Sequence, residues 1–175
     1  MRVLVLYGSR LGATRGIAER IGARLCASGA DAVVRPAADA GELVGWDAFV
    51  IGSGVYAGHW VKAAAEFVRR HRAVVSSHPV WLFSSGPVGK LANGHPPVEP
   101  KEMPELCRIA NPRDHQIFWG ALDRKVVDGS DLGFTERVVA RTLIPEGDFR
   151  DWTAIESWAD QIGRDLQTLA ATARH

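Results

Sequence analysis

Cysteine is scarce in this 175-residue chain: Cys26 and Cys107 are the only two, and they lie far apart. That spacing fits neither a disulfide framework nor the close pairs of a zinc site, so both read as free thiols of a reducing compartment. Charge of one sign is scarce as well. Lys plus Arg number 21 against 20 Asp plus Glu, a balance of +1. No whole-molecule field draws the protein to nucleic acid or anionic lipid, and any anion recognition has to be local. Long apolar runs are missing too. Nothing approaches the roughly 18 residues of a spanning helix, and the run in MRVLVLYGSR is too short for a signal peptide and lacks a cleavage pattern. A cytoplasmic protein with no integral membrane segment and no nucleic-acid partner is expected.

Several nucleotide signatures are also lacking. No Gly-Lys-Ser/Thr completes a Walker loop, which argues against ATP or GTP hydrolysis. No G-x-G-x-x-G is present, because Gly52-x-Gly54 is followed by Gly58, one residue too late. A mononucleotide fits better than NAD. A phosphoacceptor receiver needs an acidic pair after its first strand, where this chain has Gly8-Ser9. The histidines His59, His71, His78, His95, His115 and His175 make no i, i+4 pair with one another and no cluster with cysteine, so no metal is expected.

What is present is a chain 46% hydrophobic and 23% charged, with mean hydropathy −0.06, enough for one globular domain over 1–175. Arg2 to Tyr7 is a near-continuous apolar run ending at Gly8-Ser9, as in a strand buried on both faces of a parallel sheet. Ala13 to Ala27 repeats Ile17, Ala18, Ile21 and Leu25 at helical spacing. Further strands are read at Ala32 to Arg35, Asp47 to Ile51, Pro79 to Phe83 and His115 to Trp119. A helix is read at Trp60 to His71, and a short one is open around Lys101 to Ile109 in the proline-rich stretch after Gly86.

Asp151 to Ala171 is the clearest helix, with Trp152, Ile155, Trp158, Ala159, Ile162, Leu166 and Leu169 on one stripe. Before it, residues 122–150 form an extra segment with one helix read at Phe134 to Leu143. Alternating strands and helices imply right-handed crossovers and a doubly wound, five-stranded parallel sheet of order 2-1-3-4-5 in a three-layer α/β/α arrangement. Ligands bind such sheets beyond the carboxyl ends of the strands.

Three small, hydroxylic loops stand at those ends. Ser9, Arg10, Leu11, Gly12, Ala13 and Thr14 join the first strand to a helix start, where hydroxyls and free N–H groups make a donor set for a phosphate. The other reading is a tight turn with Ser9 or Thr14 as N-cap. Ser53, Gly54, Val55, Tyr56, Ala57, Gly58 and His59 offer an aromatic ring for a planar ligand and open backbone groups for its polar edge, unless Tyr56 packs on its own loop. Ser84, Ser85, Gly86, Pro87, Val88 and Gly89 close the other side of the crevice.

GSRLGAT, DAFVIGSGVYAGHWVKAAAEFVRRH, PVWLFSSGPVG, HQIFWGAL and DWTAIESWADQI together resemble the flavodoxin superfamily. More narrowly, they resemble the branch with the quinone-linked (menaquinone-dependent) protoporphyrinogen dehydrogenase of bacteria. The resemblance implies a flavodoxin-like fold and noncovalent FMN, with Ser9 to Thr14 at the phosphate and Ser53 to His59 and Ser84 to Gly89 flanking the flavin ring. It also implies a dimer or higher homo-oligomer. Leu11 stands where the commonest phosphate loop of that superfamily, Thr-x-Thr-Gly-x-Thr, has its second hydroxyl. The 122–150 segment has only Phe134 and Phe149 as aromatics and mixed charge, unlike the aromatic, basic segment of the porphyrinogen enzymes.

His59 is the one candidate catalytic side chain, as donor to a flavin carbonyl or as proton relay. Cys107 has no identifiable base and reads as inert. The tryptophans read as core, with Trp60 placed to line a pocket. The leading functional reading is an FMN-dependent oxidoreductase passing electrons from a small organic donor to an acceptor such as a quinone. The alternative is a flavodoxin-type electron carrier docking to redox proteins. Such carriers ring the flavin edge with carboxylates, and this near-neutral chain favours the enzyme. A third class, a scaffold without flavin, is left open by Leu11.

Overall fold

A computed structural model of the chain describes residues 1–86, 99–128, 133 and 146–172. In chain order the elements are β1 (Arg2–Gly8), α1 (Ala13–Ala27), β2 (Asp31–Pro36), a 3-10 turn (Ala37–Asp39), β3 (Ala48–Tyr56) and β4 (His59–Trp60). There follow α2 (Lys62–Arg70), α3 (Arg72–Val75), β5 (Val80–Ser85), α4 (Met103–Ala110) and β6 (Asp114–Phe118). The chain then forms β7 (Ala121–Leu122), α5 (Arg124–Asp128), β8 (Gly147–Asp148) and α6 (Trp152–Thr172).

The five main strands are parallel and run in the order β2-β1-β3-β5-β6, the doubly wound order expected. β4 is an addition, a two-residue strand folded back antiparallel on β3. β7 and β8 are another, pairing outside the main sheet so that the two ends of the 122–150 segment meet.

Period-two alternation sends Val3 and Val5 to one face and Leu4 and Leu6 to the other, and all four are fully buried. On the first face α1 and α6 cover the sheet, with Ile17, Ile21, Trp81, Phe83, Phe118, Trp158 and Ile162 in one cluster. On the second, α2, α3 and α4 enclose Phe49, Ile51, Phe67, Leu82, Met103 and Leu106. α1 is also laced to α6 by Arg24, which donates twice to Asp160 at 2.9 and 2.6 Å, and by an Arg20–Glu156 ion pair. No described helix is long and apolar enough to cross a membrane.

Three boundaries at the site differ from the sequence reading. β3 runs on through Gly52-Ser53-Gly54-Val55-Tyr56, beyond the strand end read at Ile51, because Ser53 and Gly54 stay in register with Ser84 and Ser85 of β5. β5 likewise keeps Ser84 and Ser85, read as loop, within the strand. The helix read from Trp60 begins at Lys62, since Trp60 belongs to β4. Pro87, Val88, Gly89 and the helix read at 134–143 lie outside the described residues.

Candidate functional site

β1 ends at Gly8, where an added Cβ would sit 2.9 Å from the Ala64 Cβ of α2, so the strand end packs directly under that helix. The chain then crosses to α1 through Ser9-Arg10-Leu11-Gly12. Ser9 Oγ accepts the Gly12 N–H at 3.0 Å, which fixes the turn, and Gly12 enters the helix at φ +83 with no side-chain cap. The first N–H groups of α1 thus keep their donor capacity, and no acidic residue lies in its first turn. Thr14 does not act as the N-cap. It stands inside the helix, 1% exposed, and its hydroxyl has no hydrogen-bond partner among the described residues.

Tyr56 reaches this loop from the end of β3. Its phenol oxygen accepts the Arg10 N–H at 3.2 Å, and the Arg10 guanidinium lies 5.5 Å from its ring centre. Tyr56 is therefore turned onto the β1–α1 loop. Burial pushes the phenol above its ordinary pKa, against the opposing pull of the Arg10 and Leu11 N–H groups and the Arg10 charge. An added Cβ on Gly54 would lie 2.8 Å from Tyr56 Cε2 and 2.9 Å from Thr14 Oγ1. Only glycine fits there without a shift of Tyr56 or Thr14.

The turn after Tyr56 is tight, with Ala57 at φ 51 and Gly58 at φ 81 between the paired Tyr56 and His59. Two successive positive φ values suit a two-residue hairpin, and an alanine held there carries about 1 kcal/mol of strain. Glu102, just before α4, holds the hairpin. Its Oε1 meets His59 Nδ1 at 2.6 Å, its Oε2 accepts the Trp60 N–H at 3.2 Å, and Lys101 N–H donates to the Gly58 carbonyl. For Glu102, burial works to raise the pKa, but the hydrogen bonds from His59 and the backbone outweigh it and hold the carboxyl below its usual range. The carboxylate can only accept, so His59 Nδ1 carries the proton, leaving Nε2 on a half-exposed ring.

Behind the hairpin, Ser84 Oγ accepts the Trp60 Nε1–H at 2.8 Å and lies 3.0 Å from His115 Nε2. Ser53 Oγ accepts the Val61 N–H at 2.8 Å and lies 2.9 Å from the Gly54 carbonyl. Both serines are fully buried and bonded within the protein. The Ser85 hydroxyl is also buried and has no hydrogen-bond partner among the described residues, and an added Cβ on Gly120 would sit 3.6 Å from it.

Burial holds the His115 imidazole below its usual range, against the opposing fields of Glu99 and Asp114. The unfolded chain then takes up a proton that the folded chain refuses. The stability this contributes is complete above about pH 6.5 and is lost as the pH falls through that value towards the folded pKa. Thermal melts from neutral to mildly acidic pH are expected to show a declining midpoint, and His115→Gln is expected to flatten that decline. An unchanged decline in the variant would assign the effect to other groups. The Cys107 thiol is half-buried and pushed up by burial and by Glu99, consistent with an unreactive side chain.

A family model described as flavodoxin domain matches residues 4–144. The chain belongs to the flavodoxin domain family. Among solved structures, a cysteine-to-serine mutant of flavodoxin from Pseudomonas aeruginosa is 17% identical, over 95% of this chain and 99% of that one, with a TM-score of 0.58. A flavodoxin from the domain Archaea is 22% identical over 81% and 99%, with a TM-score of 0.52. The rubredoxin oxygen:oxidoreductase of Desulfovibrio gigas is 13% identical over 95% of this chain and 36% of that one, with a TM-score of 0.59. At these identities the likeness is one of fold. No curated protein matches.

The cofactor of this flavodoxin-family chain is FMN. The residues at the β1–α1 loop fit its phosphate. They combine an uncapped helix start, a buried Thr14 hydroxyl with no hydrogen-bond partner among the described residues, and the Arg10 charge. The structure brings Ser9 to Thr14 and Gly54 to Tyr56 together and sets His59 beside them. Of the third predicted loop it describes Ser84, Ser85 and Gly86, with Ser84 committed to Trp60 and His115. Beside the loop lies an open cleft of ≈ 570 Å³, bordered by Ser9, Arg10, Tyr56, His59, Trp60 and Lys62.

Two residues were missed by the sequence reading. Glu102 anchors the hairpin, and nothing local marks it. Arg150, at the base of the β7–β8 pair, donates to the Ala13 carbonyl at 3.3 Å, stacks 4.4 Å from the Trp152 ring centre and pairs with Asp148. It adds a second cation beside the start of α1. A lone arginine in a segment of mixed charge carries no sequence signal for that placement.

Proposed function

We propose that the protein is an FMN-dependent oxidoreductase that takes two electrons and two protons from a reduced organic donor and delivers them to a quinone-type acceptor, which leaves as the hydroquinone. FMN supplies, when bound, a centre that accepts and returns electron pairs. The Ser9 to Thr14 loop binds the phosphate, with Thr14 and the α1 N–H groups as donors and Arg10 balancing charge. The hairpin from Ser53 to His59 and the end of β5 at Ser84 to Gly86 border the ring. His59 holds a proton on Nδ1 against Glu102 and borders the cleft, so it can pass a proton to or from a bound organic molecule.

The observation that carries the enzyme reading is the cleft beside the loop. It is bordered by Arg10, His59 and Lys62, and no carboxylate lines it among the described residues. Such a surface suits a small, electron-rich or anionic organic molecule rather than the basic face of a docked redox protein. A porphyrinogen is the donor that the sequence resemblance names.

The test is anaerobic. Protein loaded with FMN and reduced with dithionite is mixed with menadione, and reoxidation is followed in the visible flavin band. A rate that saturates with menadione, with one hydroquinone formed per flavin reoxidised, is the expected result. A rate that never saturates with menadione, together with rapid electron transfer to a protein acceptor such as cytochrome c, would make the chain an electron carrier.

A further inference from the structure

Of the hydroxyls on the β1–α1 loop, Ser9 is engaged by the Gly12 N–H and shapes the turn, which leaves Thr14 as the uncommitted one. Tyr56 brings another from β3. Its oxygen accepts from the Arg10 N–H, but among the described residues nothing accepts its proton. Tyr56 Oη and Thr14 Oγ1 lie 3.3 and 2.9 Å from the point that a Gly54 Cβ would occupy, so the two hydroxyls border the same small space.

Two converging hydroxyls with no acceptor among the described residues, Thr14 buried and Tyr56 half-buried, suit an anion that completes them. We propose that Tyr56 is a phosphate ligand, its phenol joining Thr14 as a hydroxyl donor to the phosphate monoester of the cofactor. The inference rests on the FMN reading and deepens it. The Arg10 N–H occupies one lone pair of the phenol oxygen and so steers its O–H away from the backbone. The Arg10 guanidinium lies over the same ring. Burial keeps the phenol protonated, hence a donor, through the neutral range. Tyr56 is thereby moved from the flavin ring, where the sequence reading placed it, to the phosphate.

The test separates phosphate from ring. FMN and riboflavin, which lacks the phosphate, are titrated by flavin fluorescence into wild-type protein, Tyr56→Phe and Thr14→Val. Wild type is expected to bind FMN more tightly than riboflavin. Tyr56→Phe keeps the ring, so it is expected to lose roughly tenfold in FMN affinity, as for a hydrogen bond to a charged group, with riboflavin unchanged. Thr14→Val should behave in the same way. Retained riboflavin binding shows that each variant is folded.

Unchanged or tighter FMN binding by Tyr56→Phe overturns the proposal, the tighter case making the phenol a plug that the phosphate must displace. Equal loss of FMN and riboflavin also overturns it and returns Tyr56 to the ring. Failure of wild-type protein to bind either flavin would sink the FMN reading and this inference with it.

Discussion

Gly52→Ala is expected to destabilise the protein more than any other single methyl addition described. Gly52 lies mid-strand in β3, and an added Cβ would lie 2.0, 2.1 and 2.3 Å from three atoms of the Phe83 ring on the neighbouring strand. That ring cannot retreat. It is fully buried, with Phe118 and Trp158 packed at centroid distances of 6.3 and 6.1 Å. Overpacking a core commonly costs about 1–3 kcal/mol, and a clash against an immobile aromatic belongs at or above the top of that range. At about 2–4 °C per kcal/mol for a chain of this size, the melting midpoint should fall by roughly 10 °C. Phe83→Leu introduced alongside should recover part of the loss, with a coupling of about 1 kcal/mol or more in the double-mutant cycle. A midpoint within a degree or two of wild type would show that the ring has room to move.

Gly54→Ala, two residues on, is expected to act on binding instead. Its Cβ would meet Tyr56 Cε2 at 2.8 Å and Thr14 Oγ1 at 2.9 Å. Tyr56 is only partly buried and can shift, so the fold should tolerate the methyl at a cost of about 1 kcal/mol. The space between the two hydroxyls would then be filled. FMN affinity should fall on the order of 100-fold, equivalent to about 2.7 kcal/mol, with a smaller loss for riboflavin. Calorimetric titration against a matched thermal melt checks both halves. Undiminished FMN binding would place the phosphate elsewhere on the molecule.

The contrast between these glycines follows from what faces them. Both lie in a stretch that reads, by composition, as a glycine-serine loop. In the fold it is strand, because β5 pairs with it through Ser84 and Ser85 and because glycine is the residue that Phe83 and Thr14 leave room for. Small residues were demanded by neighbours distant in sequence, and local composition cannot tell that demand from the flexibility of a loop.

What the sequence determined by itself was the part governed by local periodicity. The apolar run of β1, the helical stripe from Ala13 to Ala27, the long helix before the C-terminal residues and the alternation of strands with helices define a doubly wound sheet, and with it the end at which loops gather. The position of the β1–α1 loop was legible for the same reason: a buried strand followed at once by a helix start leaves its N–H groups at one place. Only the tertiary structure decided what each polar side chain does there. Ser84 is engaged by Trp60 and His115, Glu102 holds the hairpin through His59, Arg150 arrives beside Ala13, and the Tyr56 phenol meets the Arg10 N–H. A hydroxyl or carboxylate takes whichever partner the fold brings within about 3 Å, and these partners come from other strands and helices.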